Sequence, residues 1–261
     1  MTEGGSCERD ALRPPKDDPD ERLEMRHYDV GEELGAGGFG KVYEGLHLGS
    51  NTRMAIKMLF VGEEYFSKEA EAARKEEKNV FKLGSNVNVL RYFDSFQTKD
   101  NHLAIVMEYC NLDLEAFMNV KSNRKTSVLI NVAYQTAKGL ESLHSHKPQI
   151  VHRDIKPANI LLQQDPKTIV KLADFGLSSI LEAGQAFIKY PTVKQLSRSM
   201  KTTAGHGTDP FLGPEFYAAR DGQGLVDGKF RVGTAADIFA LGVVFLCMIC
   251  YNTSDYGKSR R

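Results

Sequence analysis

Between the apolar Val151 and the apolar run Ile160-Leu161-Leu162 lie His152-Arg153-Asp154-Ile155-Lys156-Pro157-Ala158-Asn159, which put an acid, a lysine and an amide within six residues. An aspartate can accept a proton, a lysine can neutralise developing negative charge, and an amide oxygen can ligate a cation. Other stretches carry residues of the same kind. Gly35-Ala36-Gly37-Gly38-Phe39-Gly40-Lys41-Val42 fits G-x-G-x-x-G-x-V. Glycines there make either an ordinary hairpin or a flap whose backbone N–H groups approach phosphates unobstructed. Lys57 ends Met54-Ala55-Ile56-Lys57. It either snorkels to water or reaches phosphates as a fixed charge, which needs an acid to hold it. Glu77 suits that partnership better than Glu76, because Val80 and Phe81 share its helix face. Asp174, in Ala173-Asp174-Phe175-Gly176 after the apolar run Ile169 to Leu172, suits a hard cation. Gly207-Thr208, Gly213-Pro214-Glu215 and Asp237, leading an apolar helix, complete the set.

The elements that must position these residues follow from pattern. Tyr28 to Leu34, Lys41 to Leu46, Met54 to Phe60, Val89 to Phe96 and Leu103 to Glu108 read as strands, being short, rich in β-branched or aromatic residues and separated by turn signals. Residues 66 to 83 read as a helix, as do Leu112 to Met118 and Ser127 to His144. A strand follows the glycines where a dinucleotide-binding fold would place a helix, which excludes that class. Strands dominate the first part and helices the second, so two lobes are expected, joined near 109 to 113.

Composition bounds the rest. The chain has 261 residues, with 34 basic and 34 acidic side chains, and net charge gives no support for binding nucleic acid or an anionic membrane. Residues 1 to 27 are polar and charged, without the apolar run of a secretory signal, and read as a disordered tail. Ile238 to Tyr251 is too short for a membrane span of about 20 residues and reads as a buried helix. Cys247 and Cys250 are expected to be small core residues within it. Four scattered cysteines point to a reducing, cytoplasmic setting.

The elements GAGGFGKV, MAIK, VHRDIKPAN, ADFG, GTDPFLGPE and DIFALG, in that order over residues 28 to 252, resemble the eukaryotic protein kinases of serine/threonine type. Within that family NVLRYFDSF, VHRDIKPANIL and DIFALGVVF are similar to the stress-sensing inositol-requiring kinases. The resemblance implies an α+β, two-lobed fold. Residues 28 to 109 would form a β-rich N-lobe with one main helix, and 110 to 261 a helical C-lobe. It implies ATP and Mg²⁺ as cofactors and protein serine or threonine hydroxyls as substrates. Asp154 would accept the hydroxyl proton, Lys156 would neutralise the transferring group, and Asn159 and Asp174 would ligate Mg²⁺. Lys57, paired with Glu77, would hold phosphates beneath Gly35, Gly37 and Gly40. Leu34, Val42, Ala55 and Leu161 would enclose the adenine. Met107 would be the gatekeeper, Glu108 to Cys110 the hinge and Asp113 a ribose contact. Thr208 would touch Asp154 and Lys156. His152 would pack against Phe175 and Phe81 above Asp237.

The same resemblance makes Arg153 a dock for a phosphate that an upstream kinase places between Ser178 and Gly205, Thr203 and Thr202 being the first candidates. It also implies that the C-lobe stops after the helix led by Asp237. An exposed apolar patch is then expected at that helix's C-terminal end, with Glu215 unpaired or held by Arg220. The competing reading is a pseudokinase, a scaffold that binds nucleotide or partners without turnover.

Overall fold

The computed structural model describes residues 27–37, 40–60, 86–98, 102–164, 167–175, 178–181, 188–190, 210–220 and 230–250. The chain divides into two compact units, Met1–Phe81 with Arg91–Tyr109, and Lys82–Leu90 with Cys110–Arg261.

In the first unit β1 (Tyr28–Gly37), β2 (Gly40–His47), β3 (Thr52–Phe60), β4 (Tyr92–Gln97) and β5 (His102–Glu108) form an antiparallel sheet in the order β1-β2-β3-β5-β4. The period of two along each strand sends alternate side chains to opposite faces. Tyr43, Met54, Ile56, Met58, Ala104 and Val106 cluster on one face, with Tyr28 and Phe96 packed against them. Leu59, Leu103 and Ile105 cluster separately, with Tyr92. Leu103 to Met107 are all buried, which explains their unbroken apolar run. The strand expected from Val89 starts later, at Tyr92. Val89 instead makes an isolated parallel bridge to Leu172. The backbones of Leu90 and Asn88 hydrogen-bond that of Leu172 at 2.8 and 3.0 Å, and the Asn88 amide donates to Val170 O and Gln135 Oε1. These bonds place 86–90 with the second unit.

That unit contains β6 (Leu112–Asp113), α1 (Leu114–Asn119), α2 (Thr126–Ser145), β7 (Ile150–Val151), β8 (Ile160–Gln164), β9 (Thr168–Leu172), β10 (Ser179–Ile180), β11 (Ile188–Tyr190), α3 (Pro214–Arg220), β12 (Phe230–Val232) and α4 (Thr234–Cys250). The helix expected from Leu112 is shorter. Leu112 and Asp113 pair with Leu162 and Leu161, and the Asp113 carboxylate caps α1 by accepting from Ala116 N at 2.7 Å. Helix α2 buries Val132, Thr136, Gly139, Leu140 and Leu143. A Cβ on Gly139 would lie 2.5 Å from Asn88 O, so only glycine permits that approach.

Helix α4 departs from the expectation of full burial. Ala236, Asp237, Ala240, Leu241, Val244 and Met248 are buried, but Ile238, Phe239, Leu246 and Ile249 are exposed, so the bare apolar face runs along most of the helix and not at its end alone. Cys247 is half-buried and Cys250 exposed, which corrects the reading of both as core residues. Among the described residues no helix is long and apolar enough to cross a membrane. Glu215 sits half-buried in the first turn of α3 and makes no ion pair among the described residues. The helix expected at 66 to 83 and the tail 1 to 26 lie outside the described residues.

Candidate active site

Strand β7 leads into the loop that carries the acid, lysine and amide. The loop is fastened from below by Asp237, whose side chain is fully buried. Its Oδ2 accepts His152 N–H at 2.8 Å and its Oδ1 accepts Arg153 N–H at 2.7 Å. His144, in the last turn of α2, donates from Nε2 to Oδ2 at 2.8 Å. Three donors from two elements thus converge on one carboxylate, which compensates its burial.

His152 is fully buried and ties the loop to the strand end that carries Asp174. Its Nε2 donates to Ala173 O at 3.0 Å, its Nδ1 accepts from Asp154 N at 3.3 Å, and its ring lies 4.9 Å from that of Phe175. A histidine packed beneath the loop, against Phe175 and above Asp237, is what the sequence led one to expect. Phe81 lies outside the described residues.

Above this base the Asp154 carboxylate is oriented by two neighbours. Lys156 Nζ lies 3.0 Å from Oδ1 and 2.9 Å from Oδ2. Asn159 Nδ2 donates to Oδ2 and to the Asp154 carbonyl, both at 2.8 Å. The Asn159 amide nitrogen is therefore fully engaged, while its amide oxygen accepts no hydrogen bond among the described residues. The 3₁₀ turn Pro157–Asn159 brings Asn159 next to Asp174: Ala173 N–H donates to Asn159 O at 3.0 Å, and Ile160 pairs with Leu172. Arg153 and Asp174 both take left-handed φ, +68° and +62°. Such residues persist only where surroundings over-determine them, at about 1–3 kcal/mol each. Burial draws the Arg153 guanidinium down to about 10, against the opposing pull of Asp237 and Asp154. Its Nη2 reaches Ser178 O at 3.4 Å. Ser178 itself is buried and bonded to Phe175 O.

In the first unit the register puts Val42 beside Lys57 and Lys57 beside Ile105, and sets Glu44, Ala55 and Met107 in the next row. Val42, Ala55, Lys57 and Met107 therefore share one face. Gly35 faces Val42, and Gly37 pairs with Gly40 across the turn. Gly40 has φ +138°, and a Cβ there would sit 2.1 Å from Met58 O. Leu34 is exposed, and Glu108 closes β5. In the second unit Cys110 is half-buried, and Asp113, Leu161 and Lys171 lie in one row across β6, β8 and β9. Asp113 acts here as a helix cap through Oδ1. Glu77, Thr208, Thr202 and Thr203 lie outside the described residues.

Residues 28–260 match the protein kinase domain family. The chain belongs to the protein kinases, and several of its relatives are named serine/threonine kinases. Over 227 residues the kinase chain is 30% identical to serine/threonine protein kinase OSK3 of Oryza sativa subsp. indica, covering 87% of this chain and 39% of that protein. Over 242 residues it is 31% identical to serine/threonine-protein kinase dst2 of Dictyostelium discoideum, covering 90% and 18%. Serine/threonine-protein kinase pakG of the same organism is 42% identical over 151 residues, 57% of this chain and 12% of that one. The chain spans about two fifths or less of the length of these relatives. The finer likeness to inositol-requiring kinases is not what they carry. Sequence reasoning passed over His144, whose only signal is a polar residue next to the buried Leu143 at a helix end, and Arg53, whose only signal is its place two residues before Ala55.

Proposed function

We propose that this kinase domain transfers the γ-phosphate of ATP to serine or threonine hydroxyls of protein substrates. The observation that carries this reading is the Asp154 carboxylate, fixed by Lys156 and Asn159 on a loop clamped to Asp237. Among the described residues Asp154 Oδ1 accepts only from Lys156, which leaves room for a substrate hydroxyl. Asp154 orients that hydroxyl and takes its proton as the oxygen attacks in line. Lys156, already on the carboxylate, neutralises charge on the group being transferred. Lys57, with Glu77, holds the phosphates, and the Gly35–Gly40 backbone covers them. Val42, Ala55, Leu34 and Leu161 enclose the adenine, Glu108 to Cys110 read its edge and Asp113 meets the ribose. Thr208 supports Asp154 and Lys156.

The oxygen donors fit a hard cation: the amide oxygen of Asn159, which accepts no hydrogen bond among the described residues, and the carboxylate of Asp174, on adjacent backbone. When bound, Mg²⁺ supplies charge compensation on the phosphates. Arg153 is half-buried, and the desolvation of its guanidinium is a cost that an incoming phosphate group would offset, which supports modification of the segment that follows Ser178 by an upstream kinase. The small number and wide scatter of the cysteines, four in 261 residues, support a reducing, cytoplasmic setting. The test is transfer of labelled γ-phosphate to a generic serine/threonine substrate, beside an Asp154→Asn control. Equal incorporation by both proteins, or none by the unsubstituted chain, would refute the reading.

A further inference from the structure

The face that carries Val42, Ala55 and Lys57 continues to a rim that the mechanism does not use. Arg53 lies two residues before Ala55 on β3, and Glu44 opposes Ala55 on β2, so all three project from the same side of the sheet. The Arg53 guanidinium makes an ion pair with Glu44 and lies over the Tyr109 ring, 3.8 Å from its centroid. Hydrogen bonding to Glu44 is the main cause that raises the Arg53 pKa, with Tyr109 adding to it.

Tyr109 follows Glu108, the last residue of β5. Glu108 is itself held twice to Arg91: its N–H donates to Arg91 O at 2.8 Å, and its carboxylate accepts Arg91 N–H at 3.3 Å. The β3–β5 ladder ends at Met54–Glu108, so Tyr109 is where the chain leaves the sheet. Just there a planar cation, anchored by an acid on a second strand, covers the ring. A guanidinium stacks flat on an aromatic face and uses its fork on a carboxylate at the same time, which an ammonium cannot do.

We propose that Arg53 is a positioning residue for the nucleotide: clamped by Glu44 and stacked on Tyr109, it fixes the Glu108–Cys110 segment against which adenine is read. This rests on the assignment of that segment as the hinge. Loss of a cation–π contact at an exposed site corresponds to about a two- to five-fold change in affinity. The effect falls on the base and not on the phosphates, because Arg53 stands on the hinge side of Ala55 and Lys57 on the other.

The experiment measures binding of ADP, GDP and inorganic tripolyphosphate to the unsubstituted chain and to Arg53→Ala, Arg53→Lys and Glu44→Gln, with a thermal melt of each. Arg53→Ala should weaken ADP about two- to five-fold, lower the preference for ADP over GDP, and leave tripolyphosphate unchanged. Arg53→Lys and Glu44→Gln should fall between. The KM for ATP should rise with kcat held. Unchanged ADP affinity, an equal loss for ADP and tripolyphosphate, or a loss that tracks only a lowered melting temperature would overturn the proposal. Absence of ADP binding by the unsubstituted chain would sink the hinge assignment with it, whereas ADP binding that ignores Arg53 sinks the proposal alone.

Discussion

The loop from His152 to Asn159 and the five-stranded sheet both hold chemistry-bearing side chains, by opposite means. In the sheet the ladder does the positioning: Val42, Lys57 and Ile105 stand in one row because the whole lengths of β2, β3 and β5 share a register, and no single side chain sets it. In the loop there is no ladder. Two donors on successive backbone nitrogens, a histidine beneath and a left-handed Arg153 hold the shape, and Asp237 joins them. Buried, fully partnered polar groups specify a unique geometry but leave little tolerance for losing one partner. The loop is therefore fragile at single points where the sheet spreads its support.

The largest expected effect is chemical. Asp154→Asn keeps the shape of the side chain and removes its capacity to accept a proton, so kcat should fall by about 10²–10⁴ while the melt stays close to that of the parent. Single-turnover phosphate transfer reads the first and circular dichroism the second. Next comes the clamp. Asp237→Ala strips the acceptor from His152 N–H, Arg153 N–H and His144 Nε2 together. At about 1–3 kcal/mol for each buried group left unsatisfied, the loss reaches much of a domain's stability of about 5–15 kcal/mol. Denaturant unfolding should show it. Glu44→Ala, which removes a half-exposed ion pair from the sheet, should change stability by no more than about 1 kcal/mol. The contrast between loop and sheet breaks if the two variants cost the same.

The glycine turn sharpens the contrast inside the sheet. At Gly40 an added Cβ meets a backbone carbonyl at 2.1 Å with φ at +138°, so Gly40→Ala should cost on the order of 1–3 kcal/mol and disturb β3 at Met58. At Gly35 the same atom meets nothing within 4 Å, so Gly35→Ala should leave the melt almost unchanged. A larger loss from Gly35→Ala than from Gly40→Ala would show that the turn is held in another way.

The sequence marked these glycines as equals, and the difference shows how far it could be read. The loop was legible because its residues must lie close in the chain to do their work, so type and spacing sufficed. The strands were legible from period and turn signals. The start of α1 was not, because Leu112 and Asp113 become a strand only through Leu162 and Leu161, some fifty residues away. The expected strand from Val89 begins only at Tyr92 for the same reason, since Val89 pairs with Leu172 and Leu90 bonds to it, far along the chain. Helix α4 is apolar nearly all round, so no periodicity could tell Met248, which is buried, from Ile249, which is not.

The smallest effect expected is at the edge of the sheet. Tyr28 donates to Asp94 Oδ2 at 3.2 Å and stacks on Phe96, with ring centroids 6.0 Å apart. Burial first, then the charge of Asp94 and the bond to it, push the phenol up to about 12 from its usual 10. The folded state thus holds the phenolic proton more tightly than the unfolded chain does. The stability linked to that proton is fully present below pH 10 and is lost as pH rises from about 10 to about 12. Tyr28 is half-buried at the sheet edge and still reached by solvent, so the contribution is screened and modest. Tyr28→Phe keeps the stack on Phe96 and removes the titrating group. Its melting temperature should lie slightly below the parent's at pH 8 and fall less steeply between pH 10 and 12. Parallel decline of the two proteins through that range would mean that Asp94 does not hold the phenol, and that this edge is kept by ring packing alone.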